Sequence, residues 1–559
     1  MIILGIIGGF HDACACLLID GKVVALAEEE RFIRRKHAFE AFPDLSADYC
    51  IKEAGVRWRD IDKVTFSFDL DYLVKSNEQV EPWQSSFEKN KKNLLRFREY
   101  YWNVRERAIA WTKARSLPAP IYVDHHSAHL ASAFFGSDFD SASLLSIDSR
   151  GELDTTVMGI GVENEIKEIK RIPLPHSLGM LYTIVTGFLG YQMYDGEGTV
   201  MGLASYGEDS YRKEFDLIVK GKNGAFECEH DYLWNKFTDG FTDNENKLEK
   251  LFGTPRHYRR DPRNGVDEHI AASLQACVTR HVSALVRWLY ERTGMKRLCI
   301  AGGVSLNSKM NGELLDLDCI DELYVQPIAN DAGVALGGAY WLYNKITGKR
   351  PEPLRDVYLG PACMEDEIYH EIKARSLNFD KPENLLDEVA SLLANGKIVG
   401  WVQGRMEAGP RALGARSILA DPSREDVKDM VNIKVKNREP WRPFAATILD
   451  THRDKYLINC QKAPFMIICH KVKKEAYPKI KGACHIDGTS RVQVLERKIN
   501  PLFYDLIKRF GEITGIYALL NTSFNVRGKP IVCKAGEAIE VFVNSGMDAL
   551  AIGSYLLKK

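Results

Sequence analysis

Cysteine pairs are missing from this chain. Its 559 residues include twelve cysteines, but none stand as Cys-x-x-Cys, which argues against zinc fingers and gives no sign of a disulfide framework. Long apolar runs are also missing. No uninterrupted stretch reaches the length of a membrane span, so no membrane partner is expected. The opening MIILGIIGGF has no basic residues before its apolar run. It reads as a buried first strand rather than a signal peptide, which fits a cytoplasmic protein. Net charge is close to zero, with 75 Lys and Arg against 76 Asp and Glu. That argues against bulk nucleic-acid binding, because any basic site must be local. No internal repeat is visible.

What is present describes two packed domains. The chain is 45 % hydrophobic and 27 % charged, enough apolar material for a core in each. Strands are expected at 2–8 and 14–19, with LLIDGKVVA forming a hairpin that turns at Asp20-Gly21. Further strands are expected at 143–148 and 155–161, and helices at 46–55, over AHLASAFF and HSLGMLYTIVTGFLG, and over 265–294. Residues 76–118 read as a pair of helices, and 208–265 as a charged, aromatic insertion over the active site. The three prolines of ITGKRPEPLRDVYLGPAC mark a boundary, giving domains 1–350 and 351–559.

Residues 404–418, GRMEAGPRALGARSI, hold three arginines, Arg405, Arg411 and Arg416, among glycines and a proline. Arginine's fork of donors fits phosphate or carboxylate oxygens bidentately, and glycine lets backbone N–H groups approach them. Lys436 and Arg442 in NIKVKNREPWRPF, Arg491 in DGTSRVQ, and LLNTSFNVRGKP with Asn521, Ser523, Asn525 and Arg527 extend the array. The pattern predicts a polyanion pocket, most simply for a nucleoside triphosphate and a second phosphorylated substrate. The plain alternative is surface arginines paired with Glu407, Asp421 and Glu439.

A different chemistry lies upstream. In IYVDHHSAHLASAFF, His125 and His129 are four apart and share a helix face. Asp148 follows the strand SLLSI, and Asp331 follows another in YVQPIANDAG. Two histidines with carboxylate oxygens suit Fe(II), Mn(II) or Zn(II). RLCIAGGVSLN reads as strand, glycine turn and helix, which aims the backbone at Gly302 and Gly303, with Asn307 beyond, toward a nucleotide.

These stretches carry a resemblance. The blocks GFHDACACLLIDGKVVALAEEERF, DHHSAHLASAFF, SIDSRGE, HSLGMLY, VMGLASYG, AGGVSLNSKMN, NDAGVALGGA, QGRMEAGPRALGARSILADP and LLNTSFNVRGKPIVC resemble the NodU/CmcH family of O-carbamoyltransferases over nearly the whole length. The resemblance implies an α/β chain. It begins with an actin/hexokinase/Hsp70-like domain, similar to the tRNA threonylcarbamoylation ATPase, and continues with a YrdC-like domain. It also implies a reaction. The C-terminal domain joins Mg-ATP and carbamoyl phosphate into carbamoyl adenylate, using Arg411, Arg416, Lys436, Arg442, Arg491, Asn521 and Ser523. The N-terminal domain, with iron favoured at His125, His129, Asp148 and Asp331, passes the carbamoyl group to a hydroxyl of a small-molecule acceptor, as in antibiotic and other natural-product biosynthesis. His11 in GFHD is the implied general base, since imidazole titrates near neutral pH. His11, Arg411 and Lys436 are the implied catalytic residues.

One position departs from the resemblance. Many family members carry lysine before MGLA, where this chain has Thr199. Three rival readings are a hydrogenase-type maturation carbamoyltransferase, a tRNA-modifying transferase and an actin-like ATP-binding scaffold. The lack of zinc-finger cysteine pairs and of an acylphosphatase domain counts against the first, the near-zero charge against the second, and the C-terminal arginines against the third. The residues name neither acceptor nor oligomeric state, and a homodimer is left open.

Overall fold

A computed structural model describes residues 1–71, 91–233, 242–255 and 265–559. Part of the expected helix pair and parts of the 208–265 insertion lie outside them. Two compact units emerge: Met1–Leu26 with Phe39–Leu354, and Ala27–Ala38 with Arg355–Lys559. The sequence reading gave 1–350 to one domain without interruption, whereas residue contacts put Ala27–Ala38 with the second unit.

The first unit contains two five-stranded sheets. In the first, β1 (Ile2–Ile7), β2 (Cys14–Ile19) and β3 (Lys22–Glu28) form an antiparallel meander, and β4 (Lys63–Phe66) and β5 (Ile121–Tyr122) add parallel to β1. The order is β3-β2-β1-β4-β5. Strand β1 is apolar throughout because both its edges and faces are covered. Asp20 and Gly21 turn the hairpin with φ of 49° and 88°, the left-handed pair that a two-residue turn requires. In the second sheet β6 (Ser141–Ile147), β7 (Asp154–Val162) and β8 (Glu165–Pro173) form the meander. After a short hairpin, β9 (Val219–Lys222) and β10 (Ala225–Cys228), the chain adds β11 (Arg297–Ala301) and β12 (Glu322–Val325) parallel to β6. The order is β12-β11-β6-β7-β8. Both sheets therefore run third, second, first, fourth, fifth. This duplication, invisible as a sequence repeat, is the actin/hexokinase/Hsp70-like fold.

Helices repeat the symmetry. Helix α1 (Asp44–Glu53) follows the first meander and α2 (Lys91–Ala114) joins β4 to β5. Helix α3 (His125–Gly136) follows β5. Helices α4 (Val266–Thr293) and α5 (Ser308–Leu315) flank β11, and α6 (Ala332–Thr347) follows β12. The equivalent helices α3 and α6 meet backbone to backbone: a Cβ on Gly337 would stand 1.9 Å from the Ala128 carbonyl oxygen. Glycine is needed there to bring the two helix starts together.

The second unit is one mixed sheet of eight strands, ordered β16-β17-β15-β18-β14-β13-β19-β20. These are β13 (Val399–Val402), β14 (Arg416–Ala420), β15 (Ala445–Leu449), β16 (Cys469–Lys471), β17 (Thr489–Leu495), β18 (Ala518–Ser523), β19 (Ala549–Ile552) and β20 (Tyr555–Lys558). Alternate residues feed two cores. Val402, Ile418, Leu550 and Ile552 pack with α7 (Glu365–Ala374) and α10 (Ala535–Val543). Val399, Trp401, Leu419 and Ala551 pack with α8 (Leu385–Ala394) and α9 (Pro501–Thr514). A strand buried on both faces reads as continuous apolar sequence, which is why VGWV and SILA show no alternation. Among the described residues no helix is long and apolar enough to cross a membrane.

The α3–α6 contact is testable. Gly337→Ala should destabilise the protein by about 1–3 kcal/mol through overpacking. Gly198→Ala, at a position with nothing within 4 Å, should be neutral or stabilising by up to about 1 kcal/mol. Denaturant unfolding followed by circular dichroism reads both.

Candidate metal centre and candidate anion site

In the first unit the candidate ligands lie just past the C-terminal ends of parallel strands: His125 and His129 after β5, Asp148 after β6, Asp331 after β12. Open parallel sheets gather functional groups there. Asp124 caps α3 by accepting from Ser127 N at 2.7 Å, so the helix begins with its first histidine. One helical turn sets the two imidazoles on the same face, both fully buried, with Nε2 atoms 3.2 Å apart. Asp148 Oδ2 is 3.4 Å from His129 Nε2, and Asp331 Oδ1 is 3.6 Å from His125 Nε2. All four donors fall within 4.8 Å of one another. Bonds of about 2.1 Å at tetrahedral to octahedral angles require neighbouring donors roughly 3.0–3.4 Å apart, so the set fits a divalent borderline cation. Burial would raise the Asp148 pKa, but the hydrogen bond and charge of His129 hold it well below the usual carboxylate range. Burial holds His129 below the usual imidazole range, toward the neutral form. Those two are the protonation states that metal ligation uses, whereas burial raises Asp331 and, against burial, the Asp331 charge raises His125.

The glycine turn serves the same centre. Gly303 N donates to Asp148 Oδ2 at 2.6 Å. Gly302 has φ of 90°, and a Cβ on it would lie 2.2 Å from the Ile147 carbonyl oxygen. Asn307 caps α5 through Met310 N at 3.0 Å and pairs with Gln275 at 2.8 and 3.1 Å. The motif expected to face a nucleotide therefore spends the Gly303 amide and the Asn307 side chain on holding Asp148 and its own helix. Thr199 is buried within a helix, Glu197–Ala204.

His11, past β1, lies at the edge of the centre with its side chain 30 % exposed, open enough to meet a substrate. Its Nε2 is 3.6 Å from Asp331 Oδ2, and its Nδ1 is 3.1 Å from Asp12 Oδ2. Burial would lower its pKa, but Asp331 and Asp12 outweigh burial and raise it to about 9. A cation shared with Asp331 would weaken that hold, as a base at neutral pH requires. Sequence reasoning missed Arg150, whose charge acts on Tyr100, Tyr101 and Tyr194, the last with its ring 5.9 Å from that of His11. Its signal was in the sequence: a cation two residues after a ligand aspartate.

In the second unit the three arginines of 404–418 divide. Arg405 donates to the carbonyls of Leu359 at 2.5 Å and Gly360 at 3.3 Å. Arg416, fully buried, donates to the carbonyls of Gln403, Gly404, Ala415 and Pro361 at 2.9–3.1 Å. Where a phosphate contact was expected of Arg416, its Nη groups instead tie the loop to the strand before it. Glu407 shapes the same loop by accepting from Leu413 N at 2.6 Å and Ala415 N at 2.7 Å.

Arg411 belongs to a different group. It lies close enough to Arg491 that burial first, and then Arg491, pushes its pKa down. Burial first, then Arg438, Arg442 and Lys36, does the same to Lys436, and burial first, then Arg442 and Arg491, to Arg438. Six cations thus crowd one region, and the Arg491 Nε is buried without a hydrogen-bond partner. Register places Arg491, Ala445 and Asn521 in one row across β17, β15 and β18. Asn521 donates to Thr447 Oγ1 at 3.0 Å and leaves its Oδ1 buried and unpartnered. Lys436 Nζ reaches the Ser523 carbonyl, and Asn525 Oδ1 at 2.8 Å. Glu439 takes Arg527 at 3.3 Å and Arg442 at 3.8 Å, so the plain pairing holds for that carboxylate. Lys36 and Arg438 were not anticipated. Arg438 sat in plain view in KVKNREP, while Lys36 is about 400 residues away in sequence from its neighbour Lys436.

Comparison with known proteins agrees in scale with both units. Residues 2–340 match the family model described as Carbamoyltransferase N-terminus, and residues 390–559 match Carbamoyltransferase C-terminus. An uncharacterized protein of Synechocystis sp. is 35 % identical, over 100 % of this chain and 96 % of that protein. Nodulation protein NolNO of Sinorhizobium fredii is 35 % identical, over 98 % and 79 %. Among solved structures, component A of (R)-2-hydroxyglutaryl-CoA dehydratase from Acidaminococcus fermentans aligns at a TM-score of 0.34 and 16 % identity, over 62 % of this chain and 98 % of that one. That likeness is too slight to argue from, and the fold rests on strand order. Two family models spanning most of the sequence, with relatives matched along nearly its whole length, establish that the chain belongs to the carbamoyltransferase family.

Proposed function

We propose that this chain is an ATP-dependent O-carbamoyltransferase working in two stages. In the region 351–559 water releases orthophosphate from carbamoyl phosphate, and the carbamate left behind attacks the α-phosphate of Mg-ATP, forming carbamoyl adenylate as pyrophosphate leaves. The region 1–350 passes the carbamoyl group to a hydroxyl of a natural-product or saccharide acceptor, and AMP leaves. The observation that carries this reading is the cation crowd around Arg411, Arg491, Lys436 and Arg438, with Lys436 buried and the three arginines half-buried. Like charges held together partly out of water are costly alone and favourable once a polyanion lies among them. Carbamoyl phosphate and a triphosphate bring several anionic groups together, and fixed cations offset their repulsion and stabilise charge developing in transfer. Arg411, Arg491 and Arg442 grip phosphate oxygens. Lys436, aligned by Ser523 and Asn525, supplies a point charge. Asn521, with its free carbonyl oxygen, accepts from a carbamoyl N–H.

His125, His129, Asp148 and Asp331 would hold a divalent transition metal, iron by the family resemblance, which would supply Lewis-acid polarisation of the group being transferred. His11 takes the proton of the attacking hydroxyl. Arg150, among its tyrosines, adds positive charge that an anionic adenylate can use.

Two experiments separate the stages. Arg491→Ala or Lys436→Ala should cut carbamoyl-phosphate-dependent pyrophosphate release about 100-fold or more, the scale of losing one preorganised charge partner. Transfer from pre-made carbamoyl adenylate should persist. An equal fall in both steps would overturn the two-site reading. His125→Ala or His129→Ala should strip most bound metal, measured by elemental analysis, and block transfer, while pyrophosphate release stays within a few-fold of the parent. Full acceptor carbamoylation by chelator-treated, metal-free protein would leave the histidines a structural role.

A further inference from the structure

We infer that the excursion Ala27–Ala38 is a clamp that holds the anion site in shape, with Glu28, Arg31 and Arg34 as positioning residues. The inference rests on the proposal that Arg411 and its neighbours bind the anionic substrates. Arg411 stands two residues after Gly409, and both backbone polar groups of Gly409 are gripped by the excursion. Gly409 N donates to Glu28 Oε1 at 2.8 Å, and its carbonyl oxygen accepts from Arg31 Nη2 at 2.8 Å. Arg31 Nη2 and Glu28 Oε1 are themselves 3.1 Å apart. The ring closes on a glycine with φ of 93°, followed by a proline that has no N–H to offer.

Both side chains of the ring are buried, Glu28 at 6 % and Arg31 at 3 % exposed. A bridge of this kind is costly to break from one side only. Arg31 Nη1 also meets Glu30 Oε1 at 3.0 Å, and Glu30 Oε2 accepts from His37 N at 2.7 Å, so the excursion is braced on itself.

The far end of the excursion grips the other half of the site. Arg34 donates to the carbonyls of Ile531 at 2.6 Å and Pro530 at 2.9 Å, and meets Glu537 at 3.3 Å. Those carbonyls follow the stretch that carries Asn521, Ser523 and Asn525. Between the two grips, Phe32 packs against Met406, Ile531 and Cys533. One short segment thus fixes both strips of backbone that hold the substrate-facing groups. The need is physical: Arg411 and Arg491 repel one another across the site before an anion arrives, and a buried clamp opposes that spreading. No substrate atom has to touch Glu28, Arg31 or Arg34 for this.

The test uses the full chain. Arg31→Met with Glu28→Gln keeps side-chain volume while removing the charged ring, so the fold should survive. Amide hydrogen exchange over 404–416 should speed up roughly tenfold with the rest of the second unit unchanged. The KM for ATP in pyrophosphate release should rise roughly tenfold, with kcat less affected. Transfer from pre-made carbamoyl adenylate should be unchanged. If the double variant does not fold, Arg34→Ala, at a 26 % exposed side chain, probes the far grip, and faster exchange should then centre on 527–533. Unchanged exchange in the gripped segments would overturn the clamp. So would an unchanged KM in a protein where Arg411→Ala abolishes pyrophosphate release. If Arg411→Ala leaves release intact, the fault lies with the site assignment, and the exchange measurement still decides the clamp.

Discussion

Charge taken out of water has to be answered by other charge, and this requirement organises both centres of the protein. In the first unit the answer is partly internal. His125 and His129 face Asp148 and Asp331, and the donors stand at spacings that a small divalent ion would complete. In the second unit burial first, and then neighbouring positive charge, depresses Arg411, Lys436 and Arg438, and Glu439 pairs with Arg442 and Arg527. The rest of the architecture serves to hold such unfavourable arrangements. Glycine at 337 lets two helix starts converge, and a sheet buried on both faces supports the row of Arg491 and Asn521. Buried charged sites trade stability for readiness to bind, since the groups are already desolvated and oriented when a ligand arrives.

Much of the first unit could be read from the residues alone. The Asp20-Gly21 hairpin has its own turn chemistry, and helical spacing places His125 over His129. A carboxylate directly after an apolar strand marks the binding end of a parallel sheet, which is why Asp148 and Asp331 stood out. The duplication was not readable, because the two halves share strand order but not side chains. Nor was the use of Gly303 and Asn307 readable. A glycine turn before a helix looks the same whether its amides await a phosphate or already hold Asp148.

The arginines show a related limit. Arg405, Arg411 and Arg416 look alike in sequence, yet two donate to backbone carbonyls and one joins the cation crowd. Which donors remain for a ligand depends on where the carbonyls of 359–361 and 403–404 fall, and nothing local to the arginines encodes that. Arg438 and Lys36 were missed for opposite reasons. Arg438 was one charge among several in a loop, and Lys36 reaches its partners from the far end of the chain. Arg150 carries no motif of its own, standing two residues after the candidate ligand Asp148.

The placement of Ala27–Ala38 has a consequence for how the protein comes into being. Glu28 and Gly409 are 381 positions apart. At about 5–20 residues per second of synthesis, roughly 20–80 s separate their emergence from the ribosome. Through that interval the EEERFIRRK stretch is out in the cell with its partners not yet made. The second unit therefore cannot finish folding as an independent C-terminal module. It must recapture a strip of chain released long before, so its completion waits on the end of translation rather than on its own local sequence.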